Sequence, residues 1–291
     1  MSQPPPITLH RPARWSTGIV LTSPHSGRRY PKAFLESSRL DERAIRGSED
    51  SFIDRLFADG PELGLPLLAA EFPRAWCDVN REPWELDPAM FADALPPHVN
   101  TASPRVAAGL GTLARVVGNG EAIYARKLAF AEAKERIENC WRPFHETLAG
   151  LIEESLDLFG HCLVLDCHSM PTPRARLGPR CDIVLGDGHG TACRPEWSRR
   201  TQLFFEELGF TVRRNDPYAG GFITRHYGRP REKVEVIQIE ISRGLYMDEQ
   251  NFTDRPGFDT LRATLTRFME RMIAANRLGG AMDFGFSAAA E

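Results

Sequence analysis

The chain has 291 residues, 42% hydrophobic and 26% charged, with a formal net charge of −3. That length supports a sizeable hydrophobic core, and the composition is that of a globular protein rather than a disordered or fibrous one. The acidic balance argues against nucleic acid as a partner, and no apolar stretch reaches the ~18 residues that a membrane helix needs. Residues 1–15 lack the apolar centre of a secretory leader, so a cytoplasmic chain is expected. The six cysteines have no CxxC spacing and are expected as reduced thiols, neither a disulfide framework nor a thiolate metal centre.

In chain order, a proline-rich segment over 1–14 reads as an irregular lead-in to a single catalytic domain over 15–280, with a tail over 281–291. Gly18-Ile19-Val20-Leu21-Thr22 is a β-branched run stopped by Pro24, which predicts a buried strand. Residues 40–59 carry Ile45, Phe52, Ile53, Leu56 and Phe57 at helical spacing, which predicts a helix. A strand is expected over 67–71. Residues 84–118, rich in Pro, Asn and Gly, predict a long binding or lid loop. A helical pattern runs over 121–158, broken near Pro143 and stopped by Gly160.

The later strands are expected at 162–168, 181–186, 210–213 and 234–242, with helices at 195–209 and 259–278. Alternating apolar strands and helices argue for an α/β protein: a three-layer α/β/α sandwich on a mixed, mainly parallel twisted sheet. Such sheets carry their ligand site beyond the carboxyl ends of the strands.

Polar residues gather at those ends. One strand runs into Ser23-Pro24-His25-Ser26-Gly27, another into Asp166-Cys167-His168-Ser169, and a third into Glu240-Ile241-Ser242-Arg243. Two imidazoles and a carboxylate at one sheet edge suit a zinc ion with a position kept open for water. A histidine after a strand is equally the mark of a hydrogen-bonded turn, and no HExxH spacing decides between the two.

Other groups are open in the same way. Asp50, in Ser48-Glu49-Asp50-Ser51, fits a helix start, where acids favour the positive dipole end. Arg74 and Arg81 fit either a carboxylate grip or a plain ion pair with Asp78 or Glu82. Tyr218 to Gly228, with Gly220-Gly221, Thr224 and Arg225, is a binding loop or a simple connection. Gly186 to Gly190 lacks the Lys-Ser/Thr of a phosphate loop. His10, His98, His145, His161 and His189 have no motif around them and are taken as structural or surface residues.

Taken together, PHSG at 24–27, ED at 49–50, DVNR at 78–81, GNGEAIY at 118–124, DCHSMP at 166–171, YAGGFITRHYG at 218–228 and QIEISRGLYMDE at 238–249 resemble the N-formylglutamate amidohydrolase family. The resemblance runs from about residue 15 to about 275. It implies an α/β/α sandwich similar to zinc carboxypeptidases and aspartoacylases, and hydrolysis of N-formylglutamate to glutamate and formate. Pathway membership in histidine catabolism is implied by the resemblance alone.

The resemblance further implies Zn²⁺, or another divalent metal, on His25, His168 and an acid of the 49–50 pair, with Asp50 favoured over Glu49. It implies Glu240 as general base, assisted by Arg81. Arg74, Asn80, Arg81, Gly221, Thr224 and Arg225 would bind substrate, and Asp166 and Ser26 would support the ligands from behind. The expected partner is a small acidic N-acyl amino acid, with no nucleic acid and no membrane. His25 and Asp50 lie too far apart for the HxxE pairing of carboxypeptidases. A related amidase or peptidase acting on another N-acyl amino acid or small peptide, and a non-catalytic small-molecule binder, are the rival readings.

Overall fold

The structure is a computed structural model that describes residues 4–172 and 181–285, with backbone alone for 278–285. Of the expected tail over 281–291, residues 281–285 continue the last helix and 286–291 lie outside the described residues, as do residues 1–3 of the lead-in.

Seven strands form one sheet: β1 (Ile7–His10), β2 (Ile19–Ser23), β3 (Leu67–Ala70), β4 (Cys162–Met170), β5 (Ile183–Gly186), β6 (Val212–Arg214) and β7 (Val234–Ser242). Their order is β1-β3-β2-β4-β7-β5-β6. The sheet is mixed: β2 with β4, β4 with β7 and β5 with β6 pair parallel, whereas β5 and β7 pair antiparallel. A two-stranded ribbon, β8 (Met247–Asp248) with β9 (Thr253–Asp254), follows. The helices are α1 (Lys32–Ser37), α2 (Ile53–Leu56), α3 (Pro104–Ala107), α4 (Phe130–Arg136), α5 (Arg142–Phe159), α6 (Pro195–Glu207), α7 (Phe222–Tyr227) and α8 (Phe258–Gly285). This is the expected α/β fold of a mixed sheet with flanking helices.

The chain divides into two units. One comprises Met1–Thr8, Pro24–Ser51 and Ala69–Thr147; the other comprises Leu9–Ser23, Phe52–Leu68 and Leu148–Glu291. The second unit holds the larger core. Ile19 and Leu21 of β2, Leu163, Leu165 and Cys167 of β4, and Ile237, Ile239 and Ile241 of β7 join Phe57, Phe205, Phe268 and Met269 in one buried cluster. Phe205 and Phe268 stack with centroids 3.9 Å apart. Each such side chain contributes roughly 1.5–3 kcal/mol on leaving water. Side chains alternate along a strand, so the intervening Thr22, Asp166, His168, Gln238 and Glu240 lie on the opposite face.

The first unit has two smaller cores. One gathers Leu86, Met90, Phe91, Val99, Leu113 and Leu128; the other gathers Phe34, Ile45, Ala75, Val117 and Ile123. These pack the long loop over 84–118, which contains only short helical turns.

Three expectations differ from what folds. Ile7–His10 is a strand, not irregular lead-in, because its alternating Ile7 and Leu9 can pair at the sheet edge despite the prolines before them. The helix expected over 40–59 is two short pieces, Ala44–Ser48 and Ile53–Leu56. Glu49 is extended, the Asp50 amide donates to the His25 carbonyl, and Phe52 takes a left-handed φ of 69°. Helix over 121–158 begins only at Phe130, where the Glu132 carboxylate accepts from the Ala129 amide. Upstream, the Ile123 and Ala125 amides bond to Arg115 and Ser37 carbonyls. The break expected near Pro143 is a π-helical segment, Ile137–Trp141, ahead of a proline that lacks the amide a regular ladder needs.

Candidate active site

His25 and Asp50 are both buried in the first unit. The turn after β2 carries His25, and the interruption between the two short helices carries Asp50. Their backbones are joined by the Asp50 amide donating to the His25 carbonyl at 3.0 Å. His25 Nε2 lies 2.7 Å from Asp78 Oδ1, and its Nδ1 lies 3.3 Å from Asp50 Oδ2.

Asp78 is an acceptor held well below the usual carboxylate range. Burial opposes its charge, but Arg74, Arg81 and His25 outweigh that cost. An ionised carboxylate can only accept, so His25 carries a proton on Nε2, and its Nδ1 faces Asp50 Oδ2. A ring nitrogen and a carboxylate oxygen facing each other in a buried site need a proton or a cation between them. The 3.3 Å separation matches two atoms each ~2.0–2.1 Å from one tetrahedral metal ion.

The second unit repeats the motif. His168 Nε2 lies 2.9 Å from Asp166 Oδ2, and Asp166 Oδ1 accepts from Thr22 Oγ1 at 2.7 Å. The residues sit two apart on β4, so both side chains share a face. His168 is therefore oriented as His25 is, by a carboxylate on Nε2. Backing of this kind sets the tautomer and raises the basicity of a metal-binding imidazole.

Among the described residues, His25, Asp50 and His168 form a group whose ligand atoms all lie within 4.8 Å of one another, each residue buried. Two imidazoles and a carboxylate fit a zinc-type ion, which takes nitrogen and oxygen donors of this kind. Glu49 is absent from the group: its carboxylate accepts from Arg46, Ser51 and Tyr30.

Glu240 pairs in register with His168 across β4 and β7. Its Oε1 accepts from Gln238 Nε2 at 2.7 Å. Gly221 is buried beside this strand and donates its amide to Gln238 Oε1 at 2.8 Å. Thr224 is fully buried in α7, its Oγ1 without a hydrogen-bond partner. Arg225, on the same helix, is exposed, with Nη1 3.5 Å from the Gly220 carbonyl. Ser26 is buried in the turn after β2.

Arg74 donates through Nε to Asp78 Oδ2 at 2.8 Å. Arg81 donates through Nε and Nη1 to the Leu110 and Asn80 carbonyls, and its Nη2 is 3.7 Å from Asp78. Burial brings the Arg81 guanidinium down to about 10, against the attraction of Asp78. The Asn80 amide donates to Asp78 Oδ1 at 2.8 Å. Both guanidinium groups thus lie beside Asp78, a carboxylate of the chain itself.

Four residues here were given no role at the site from the sequence. Asp78 backs His25, and its only signal is its place at the head of DVNR. His145 and Trp141 brace the same segment, His145 Nε2 at 2.8 Å from the Val79 carbonyl and Trp141 Nε1 donating to the Arg81 carbonyl at 2.9 Å. Trp141 closes the π-helical segment, a local irregularity often found at functional sites. Arg243, just past β7, is buried and donates to Ser169 Oγ at 3.0 Å. All six cysteines are free and buried, and burial raises the thiols of Cys140 and Cys162 to about 11 and about 12. They are protonated at neutral pH, and none belongs to the ligand group.

A model of the N-formylglutamate amidohydrolase family matches residues 17–247. The chain belongs to that family. It is 29% identical over 243 residues to the N-formylglutamate deformylase of Pseudomonas putida, covering 81% of this chain and 85% of that protein. It is 28% identical over 267 residues to the N-formylglutamate deformylase of Pseudomonas aeruginosa, covering 89% and 94%. The crystal structure of N-formylglutamate amidohydrolase from Ralstonia eutropha JMP134 superposes with a TM-score of 0.88 at 36% identity, covering 94% of this chain and 99% of that one. A chain of this family is a hydrolase acting on carbon–nitrogen bonds other than peptide bonds. No helix among the described residues is long and apolar enough to cross a membrane.

Proposed function

We propose that this chain hydrolyses N-formylglutamate to glutamate and formate, using a zinc ion held by His25, Asp50 and His168. The observation that carries the reading is the buried group of two imidazoles and one carboxylate, each imidazole backed by a carboxylate on Nε2. Support for the substrate comes from relatives named N-formylglutamate deformylase that align along most of the chain. When bound, the ion supplies a Lewis acid that polarises the formyl carbonyl and lowers the pKa of water towards ~7.

The chain's own groups do the rest. Glu240 takes a proton from the attacking water at its carboxylate. Oxygen adds to the formyl carbon, the carbon–nitrogen bond breaks, and Glu240 returns the proton to the leaving amine. Arg74 and Arg225, with the Gly221 and Thr224 segment, bind the carboxylates of the substrate. Arg81 and Asn80 hold Asp78 in place, and through it His25. Asp166 does the same for His168.

A panel of N-formyl and N-acetyl amino acids, assayed before and after chelation, tests this reading. Hydrolysis of N-formylglutamate that stops on chelation and returns with zinc is expected. Unchanged hydrolysis by the chelated protein removes the metal from the account, and preference for a different N-acyl amino acid replaces the substrate.

A further inference from the structure

Glu240, the base proposed above, has a hydrogen-bond partner on its own strand. Gln238 and Glu240 are two residues apart on β7, so their side chains share one face. Gln238 is buried at 5% exposure, and both ends of its amide are used. Its Oε1 accepts from the Gly221 amide at 2.8 Å, and its Nε2 donates to Glu240 Oε1 at 2.7 Å. A backbone amide can only donate, so the side-chain oxygen must face Gly221 and the NH₂ must face Glu240. The amide cannot flip without setting donor against donor.

The loop that supplies this amide is fixed in turn. The Gly188 amide donates to the Ala219 carbonyl at 2.8 Å. Gly220 takes a φ of +114°, which side chains rarely adopt, and a Cβ on Gly186 would lie 2.7 Å from the Gly220 nitrogen. The glycine pair therefore lets the loop backbone come down on β5 and aim the Gly221 amide at Gln238. Asp187 holds the base of this arrangement by accepting from Ser198, Asn215 and the Gly190 amide.

The geometry points to Gln238 as a positioning residue for Glu240: it fixes one carboxylate oxygen, and so sets the direction in which the other faces the reacting water. This rests on the proposal that Glu240 is the general base. Gln238 itself touches neither water nor substrate in this scheme.

A double-mutant cycle separates positioning from plain structure. Gln238→Met keeps the length and removes the amide; Gln238→Glu keeps the acceptor for Gly221 and removes the donor to Glu240. Each is expected to lower kcat on N-formylglutamate roughly 10–100-fold with KM changed by less than about threefold, the usual range for partners that orient a reacting group. In a Glu240→Gln background the same changes are expected to lower the remaining rate by less than about threefold, since there is no base left to orient. Equal losses in both backgrounds, or no loss from either variant, overturn the proposal. A parent protein that does not hydrolyse N-formylglutamate, or a fully active Glu240→Gln, instead overturns the reading beneath it. Unfolding midpoints measured alongside identify a variant that fails by folding, in which case the other variant decides.

Discussion

His168 and Glu240 stand side by side on adjacent parallel strands, register partners on β4 and β7. In parallel pairs, partnered residues direct their side chains to the same face. The imidazole assigned to the metal and the carboxylate assigned to the proton thus share one rigid sheet rather than two loops. Sites built on strands hold their geometry better than sites on loops.

Removing the carboxylate chemistry alone should stop turnover and leave the metal. Glu240→Gln is expected to retain its metal by elemental analysis and to lose ~10²–10⁴-fold in kcat, the range for a general base. A variant that hydrolyses N-formylglutamate at the parent rate removes Glu240 from that role.

The acids behind the imidazoles should matter almost as much as the imidazoles. Asp78→Asn and Asp166→Asn each replace an acceptor on Nε2, and metal affinity is expected to fall ~10–100-fold. Competition with a chelator reads this directly. Unaltered affinity in both means that these carboxylates do not orient the ligands.

These supports show what the sequence displayed and what it hid. Strands β4 and β7 were legible because their runs of Leu, Val and Ile are buried along their whole length, even though Glu235 and Gln238 interrupt β7. His25 stood out just past β2, and His168 and Glu240 as polar groups near the ends of β4 and β7. Asp78 did not, because an aspartate four residues from Arg74 and three from Arg81 looks like an ordinary ion pair. The break at Glu49–Asp50 was hidden too: Ile45, Ile53, Leu56 and Phe57 keep helical spacing across it. A long-range bond from the Asp50 amide to His25 overrides that local pattern.

Arg225 offers a test of substrate binding apart from chemistry. Arg225→Met is expected to raise KM for N-formylglutamate about tenfold with kcat little changed, the signature of lost uniform binding. Unchanged KM removes Arg225 from the substrate contacts.

Stability should show an acid-sensitive contribution at Asp187. Burial works against its charge, but bonds from Ser198, Asn215 and Gly190, with Arg214 nearby, keep its carboxyl below the usual value. A lowered folded-state value means that the stabilisation is present above the ordinary aspartate range, near ~3.9, and is lost as pH falls through the depressed value. Asp187→Asn is expected to cost about 1–3 kcal/mol at neutral pH and to flatten the acid limb of the unfolding curve. An unchanged acid limb excludes Asp187 as its source.

The central claim is that His25, Asp50 and His168 clasp a single cation. Elemental analysis of the purified chain and its His25→Ala, Asp50→Ala and His168→Ala variants tests it most directly. About one zinc-type ion per chain, lost or sharply reduced in each variant, is the result expected of a three-ligand site. Full metal content in all three variants would contradict it.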